Sequence, residues 1–323
     1  MKQPELDLVV IHEHPEWQKP LFSVLERRGV RYRPFDLKSA AFMEEDTPEA
    51  PLYFNQASPS AYVRGNTRAV PLSLAFMKNL EEKGARVLNG SKAFSLELSK
   101  SAQAALLRKL GLLSPRTLAF NDVAAVERLA SGFPWPALVK PEQGGSGARM
   151  FLVESYQELV RLLSMRPEIW LPDNLLLLQE KVDYDPSHGI VRMEFLDGEL
   201  LYAMRVVSHG SFNLCPSELC NPEGEGEEAM CAVPETPPAA PVEFYAYPEV
   251  SKEAVEGGKK IVRAAGLDVA GIELIETARG PVFYDINANS NLRAPIAGAF
   301  GGFDPFERVA DFLEQQIRSP LTK

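Results

Sequence analysis

The stretch PVFYDINANSNLR, residues 281–293, decides how the chain is read. Val282, Tyr284 and Ile286 alternate with Phe283, Asp285 and Asn287, the period of two of a pleated strand. On that period Asp285 and Asn287 share a face, about 7 Å apart by strand rise. A buried strand has no use for a carboxylate beside an amide, with Asn289, Asn291 and Arg293 just beyond. The strand before it, GIELIE (271–276), alternates too, and TARG is short enough to join the two as an antiparallel hairpin. A loop of odd length puts Glu273 opposite Asp285, with side chains about 5 Å apart. Like charges held that close are costly unless a cation neutralises them; taken alone, the pattern also reads as a solvated strand face with incidental polar residues. Oxygen donors of this kind suit Mg2+, with Mn2+ as a substitute, better than zinc.

The bulk composition bounds the rest. A chain of 323 residues has room for two or three packed units. No apolar run is long enough to span a bilayer, and the opening MKQPELDLVVIHEH reads as a strand rather than a signal peptide. Three cysteines, an odd number, argue against a disulfide framework and for a reducing compartment, so a cytoplasmic location is expected. A formal charge of −10 speaks against nonspecific nucleic-acid binding, which needs a basic surface. No membrane partner is expected, and a homo-oligomer is compatible with the composition.

In chain order, a strand (6–14), a helix (17–29) and a strand (30–37) make a β-α-β start with parallel pairing. A strand at 51–60, a helix over 70–84 and a strand at 85–90 complete a first unit, residues 1–97. A helix over 98–111, with Ala104, Leu107 and Leu110 on its apolar side, opens a second unit, 98–182. That unit continues as a strand (113–120), a helix (121–132), a strand–glycine loop–strand (136–155), a helix (156–164) and an apolar strand (175–182). The third, 183–323, begins with a hairpin (189–208) around Asp197-Gly198, a strong turn dipeptide. Residues 215–248, rich in Pro and Glu, read as an exposed, mobile insert. A helix (249–266), the opening hairpin and a helix (303–318) end the chain.

Two further stretches carry chemistry. KPEQGGSG (140–147) is a flexible turn between strands, whose backbone N–H groups can meet phosphate oxygens, with Lys140 adding a cation. It is neither a Walker loop nor a dinucleotide fingerprint. LLLLQEKV (175–182) could offer main-chain groups around Lys181 and Val182 to an adenine edge, and Asp183 or Asp185 could take ribose hydroxyls. Each alone is an ordinary turn or strand end. Together and in order, they resemble the ATP-grasp superfamily: Lys100 opening a helix, Lys140 with its glycine loop, Gln179-Glu180, then Glu273, Asp285 and Asn287. GLDVAGIELIETARGPVFYDIN (266–287) is most similar to the branch of RimK-type carboxylate–amine ligases. The resemblance covers about residues 98–320, with the first 97 similar to a pre-ATP-grasp domain.

The resemblance implies an α/β (α+β) ATP-grasp fold, with an N-terminal α/β domain and two ATP-clamping subdomains. It implies Lys100 and Lys140 on the α- and β-phosphates, and Gly144, Gly145, Ser146 and Gly147 closing over the γ-phosphate. Gln179 forms the hinge with Glu180, and Glu180, Lys181 and Val182 line the adenine site. Glu273, Asp285 and Asn287 hold two Mg2+ ions. Arg192, Arg205 and Arg293 face the acyl phosphate or substrate carboxylate, with Asn213 near the second metal. The implied activity is ATP-dependent amide-bond formation through an acyl phosphate, on an amino acid or peptide carboxylate and an amine. Two departures stand out: Asp285 replaces the usual Glu, and Ile190-Val191 precede Arg192 where an Asp is common. They keep two rivals open: an ATP-grasp enzyme with a non-amine acceptor or a plain kinase, and a nucleotide-binding protein without turnover.

Other residues were weighed beside these. Arg64 and Arg68 read either as a carboxylate clamp for an acidic substrate or as a solvated turn. His12 and His14, at the end of the first strand, read either as substrate contacts at a sheet edge or, preferred, as surface residues. His209, Cys215, Cys220 and Cys231 lack a C-x-x-C pair and read as free thiols and a lone His rather than a zinc site. The stretch 217–248 is either a substrate-specific lid or a tolerated insertion.

Overall fold

The computed structural model describes residues 5–130, 132–145, 147, 149–208 and 242–319. Strand β1 (Leu8–His12), helix α1 (Pro15–Arg27) and strand β2 (Tyr32–Asp36) form the β-α-β start, with β1 and β2 parallel. Strands β3 (Leu52–Gln56) and β4 (Arg86–Leu88) extend the sheet in the order β2-β1-β3-β4, with helix α2 (Ala69–Glu82) crossing between them. Leu8 to Ile11 are wholly buried because both faces of a parallel sheet are covered. Val9 and Ile11 pack with Phe76, Met77 and Leu80 of α2. Leu8 and Val10 pack with Leu21 and Leu25 of α1, and with Val309 and Leu313 of the last helix of the chain. The two ends of the sequence therefore share one core.

Helix α3 (Ser91–Glu97) is seven residues long, too short to show helical periodicity, and was not expected from the sequence. Helix α4 (Lys100–Lys109) follows at once, capped by Ser99, whose Oγ accepts the Ala102 N–H at 3.2 Å. Its most buried residues are Lys100, Gln103 and Leu107; of the expected side Leu107 is buried and Leu110 packs against the core, while Gln103 takes the place of Ala104. The reason is polar: the Gln103 amide donates to Ile286 O and accepts Ile286 N–H, each at 3.0 Å. It thus satisfies the open edge of a strand that no other strand covers.

The second sheet is antiparallel, in the order β5 (Thr117–Phe120), β8 (Leu176–Glu180), β6 (Ala137–Pro141), β7 (Phe151–Val153). Helices α5 (Val123–Ala130) and α6 (Tyr156–Met165) pack with it. The third sheet is antiparallel too, in the order β11 (Glu243–Ala246), β10 (Glu199–Val207), β9 (Ile190–Leu196), β12 (Val269–Thr277), β13 (Gly280–Asn287). The turn between β9 and β10 has Asp197 at φ 51° and Gly198 at φ 80°, the left-handed pair such a hairpin requires. Residues 243–246 form an edge strand, so that end of the stretch expected as an exposed insert is part of the sheet. Residues 209–241 lie outside the described set. Helix α8 (Ala294–Gly301), also missed in the sequence, leads to α9 (Pro305–Arg318).

One face of the third sheet is apolar: Met193, Phe195, Ile272, Leu274, Phe283 and Ile286 pack with helix α7 (Lys252–Ala265) and Leu107 of α4. The opposite face carries the site, beside a smaller apolar cluster of Ile190, Tyr202, Met204, Val206 and Ile275. Two glycines inside α7 mark how close the helix lies. A Cβ on Gly257 would stand 2.4 Å from Phe283 Cζ, and one on Gly258 would stand 2.4 Å from Phe195 Cζ. In an open helix Gly→Ala gains up to about 1 kcal/mol. Here the sign reverses: Gly257→Ala and Gly258→Ala are each expected to cost about 1–3 kcal/mol through overpacking, read as a lower denaturation midpoint. A stabilised variant would contradict the close approach.

Candidate nucleotide and substrate site

The hairpin β12–β13 sets the site. Thr277 pairs with Gly280, so the loop holds Ala278 and Arg279 only, an even number rather than the odd one expected. That register would set Glu273 against Tyr284. A bulge between Glu273 and Leu274 adds one residue on β13, and Glu273 faces Asp285 after all. The bulge also breaks strict alternation. Phe283 goes to the apolar core, while Tyr284, Asp285 and Asn287 all line cavities on the opposite face. Tyr284 donates its hydroxyl to Glu273 Oε2 at 2.9 Å.

The row continues across the sheet. Arg192 on β9 lies opposite Glu273 and donates to its Oε1 at 2.8 Å, and to Glu194 Oε1 at 2.7 Å. The guanidinium lies over Gly271, where a Cβ would come within 2.2 Å of Nη2. Only glycine leaves that space. On the other side Lys100, at the start of α4, pairs with Asp285 Oδ1. Burial opposes the charge on Asp285, but the ammoniums of Lys100 and Lys140 prevail and hold its carboxyl below the ordinary range. For Glu273 burial wins over Arg192, and its carboxyl is pushed up.

The second sheet supplies the facing wall. Lys140 is buried at the end of β6 and donates to Gln179 Oε1 at 2.8 Å, while Gln179 Nε2 donates to Thr117 Oγ1 at 3.1 Å. Gln179 therefore orients the lysine. Burial, and then the charge of Lys100, lower Lys140 to about 7. Glu142 ties the loop to α4 by accepting from Ser99 Oγ at 2.5 Å and Ser101 N at 3.1 Å. The glycine loop presses in two directions: a Cβ on Gly144 would be 2.6 Å from Lys100 Cε, and one on Gly145 would be 2.4 Å from Ser60 Cβ, in the segment after β3. Ser146 lies outside the described residues.

These elements enclose two adjoining cavities. One is mostly apolar, with Leu138, Met150, Val182, Tyr184, Ile190 and Ile275 in its wall beside Lys140, Gln179, Glu180 and Lys181. The other is polar, with Glu97, Arg192, Asn287, Asn289, Asn291 and Arg293. Lys100, Gly144, Gly145, Gly147, Glu273 and Asp285 belong to both. An apolar slot, a cationic and acidic neck and a polar chamber follow one another.

No family model matches the chain. It is 22% identical over 274 residues, 84% of its length and 81% of the relative's, to a probable alpha-L-glutamate ligase of Haemophilus influenzae. A RimK domain ATP-grasp protein of Sphaerobacter thermophilus superposes with a TM-score of 0.66 at 15% identity, covering 95% of this chain and 99% of that one. The ATP-grasp ligase PsnB, solved with a phosphomimetic minimal precursor, Mg and ADP, gives 0.64 at 20% identity over 98% and 100%. The chain has the ATP-grasp fold. Among its sequence relatives are further probable alpha-L-glutamate ligases and a D-alanine–D-alanine ligase.

Around these two cavities the expected residues divide. Lys100, Lys140, Gln179, Glu180, Lys181, Val182, the three glycines, Arg192, Arg293, Glu273, Asp285 and Asn287 all line the two cavities. Arg205 does not join them. It lies one residue along β10 from Met204, which faces the polar chamber, and points to the other side of the sheet. There it donates to Glu276 at 2.7 Å and stacks on Tyr247 at 3.9 Å. Asp183 is exposed against Lys181, and Asp185 is exposed against Ser187, so neither is in the apolar wall. Arg64 is buried against Glu13 and Trp17 and reaches Ser60 at 3.0 Å, behind the chamber wall; Arg68 is exposed. His12 and His14, expected at the surface, are 2% and 8% exposed, and His14 stacks on Trp17. Asn213, His209, Cys215, Cys220 and Cys231 lie outside the described residues.

The donor set fits a small hard cation. Asn287 Nδ2 donates to Gly271 O at 3.2 Å, which leaves the amide oxygen as its ligand atom beside the two carboxylates. Among the described residues no three His, Cys, Asp or Glu side chains cluster as a metal site. Among the same residues no helix is long and apolar enough to cross a membrane. Sequence reasoning missed Tyr284, Gly271, Gln103, Glu142 and Glu97. Only the glycine carried a local signal, a residue without a side chain inside a strand.

The buried amine of Lys140 has a measurable signature. Folded, it titrates at about 7; unfolded, at the ordinary 10.5. Between these values the unfolded chain binds more protons, so stability rises with pH across that window. Without nucleotide, the Tm of the wild type should climb relative to that of Lys140→Met from about pH 7 to 10.5. Parallel curves would contradict the desolvated amine.

Proposed function

We propose that the chain is an ATP-dependent carboxylate–amine ligase that forms an amide bond through an acyl phosphate. The observation that carries this reading is the neck shared by the two cavities, Lys100, the glycine loop, Glu273 and Asp285. The apolar slot suits a purine, with main-chain groups near Lys181 and Val182 for its edge. The neck suits a triphosphate, and the polar chamber suits the substrates. A carboxylate does not react with an amine at neutral pH, because oxide is a poor leaving group. Transfer of the γ-phosphoryl to it creates a good one, provided that reactants are held in line and the spreading negative charge is neutralised.

The chain's own residues supply that neutralisation. Lys140, oriented by Gln179, and Lys100 meet the α- and β-phosphates. Arg192 and Arg293 face the acyl group, where oxyanion charge develops when the amine attacks. Glu273, Asp285 and Asn287 hold Mg2+, two ions by this reading and Mn2+ as a substitute, whose chemistry is charge neutralisation on the phosphates. In the free chain Lys100 and Asp285 neutralise each other. A phosphate and a cation offer each a new partner of the same sign, so charge balance is kept on binding. The glycine loop, seated on Ser60, excludes water from an intermediate that hydrolyses readily.

The relatives make L-glutamate the first carboxylate to try, with amino acids and short peptides as amines. ADP release should require both a carboxylate and an amine, and hydroxylamine should trap the acyl phosphate as a hydroxamate. Release with the carboxylate alone would indicate a kinase, and nucleotide binding without release would indicate a binding protein. With the active pair, Asn287→Ala should lose turnover by about a hundredfold or more. Arg205→Ala, on the far side of the sheet, should stay within a few fold of wild type; a large loss would restore it to the site.

A further inference from the structure

The polar chamber holds one acidic side chain that the proposed reaction has not used. Glu97, the last residue of α3, is 4% exposed and lines the chamber with Trp17, Ser60, Asn289, Asn291 and Arg293. Its Oε1 accepts the Asn289 N–H at 3.2 Å. Its Oε2 is buried and has no hydrogen-bond partner. Such an atom is costly in a folded protein and points to a ligand that completes it.

The other carboxylates around it are satisfied. Glu273 is held by Arg192 and Tyr284, Asp285 by Lys100, and Glu194 by Arg192 and Ser290. Glu273 and Asp285 also line the neck, whereas Glu97 lines the chamber alone. A cation at Glu97 therefore sits on the substrate side of the neck. Resting on the ligase reading, we propose that Glu97 is the subsite for the amine nucleophile, its carboxylate in the chamber wall answering the charge of the incoming ammonium group. The arrangement separates the two substrates by charge, with the carboxylate to be activated near Arg192 and Arg293 and the amine near Glu97. Burial pushes the Glu97 carboxyl well above its ordinary value, so an empty subsite is relieved by a cation.

The test is a charge-matched cycle on the full chain saturated with a non-hydrolysable ATP analogue and Mg2+. The twenty protein amino acids are titrated calorimetrically, followed by the desamino analogue of each that binds. Wild type is expected to bind at least one amino acid, and its desamino analogue at least tenfold more weakly. Glu97→Gln should lose at least tenfold on the amino acid, leave the desamino analogue unchanged and keep wild-type nucleotide affinity. Equal effects on both ligands, no effect on either, or no amino acid bound by wild type would overturn the subsite. If Glu97→Gln no longer holds nucleotide, Glu97→Asp decides. It should weaken the amino acid several-fold and spare the desamino analogue, and parity between the two would overturn the proposal. Failure of wild type to bind the ATP analogue at all would instead remove the ligase reading, and the subsite with it.

Discussion

Charge removed from water has to be answered by charge, and in this protein the answer runs as a chain of contacts over one face of the third sheet. Glu194 holds Arg192, Arg192 holds Glu273, and Lys100 holds Asp285, which faces Glu273 across the hairpin. A missing member would leave a buried partner uncompensated, which costs far more than a surface pair is worth. The arrangement demands that β9, β12 and β13 keep register and that α4 deliver Lys100 to one spot. Gln103 meets the second demand by binding both main-chain groups of Ile286, one turn along α4 from Lys100.

The same constraint explains features that look incidental. The bulge on β13 corrects an even-numbered turn and turns Asp285 away from the apolar core that takes Phe283. Gly271 leaves room for the Arg192 guanidinium, and Gly144 leaves room for the Lys100 stem. Glu142 then fixes the glycine loop to the N-terminus of α4, where an anion is favourable. Each is a local concession that lets buried cations and anions meet.

The site also depends on elements distant in sequence. The chamber takes Trp17 and Ser60 from segments beside the first sheet, Gly145 from the loop between β6 and β7, and Arg293 from beyond the third sheet. The first sheet in turn shares its core with α9, so the ends of the chain are packed together. Arg28 reinforces that contact through Glu307, Asp311 and Glu314. A rigid frame of this kind suits chemistry that relies on positioning more than on any single reactive side chain.

The sequence alone determined the parts whose signals are local. Alternation marked β12 and β13, glycines and turn dipeptides marked the helix ends and the β9–β10 hairpin, and the order of Lys100, Lys140, Glu273, Asp285 and Asn287 pointed to the fold. Tertiary structure decided what depends on which face a side chain takes and what lies across from it. The bulge at Tyr284, the departure of Arg205 to the far side, the burial of His12 and His14 and the open oxygen of Glu97 have no period and no motif. They follow from tertiary packing and desolvation, which depend on what a fold brings opposite each side chain and leave no trace in a short window of sequence.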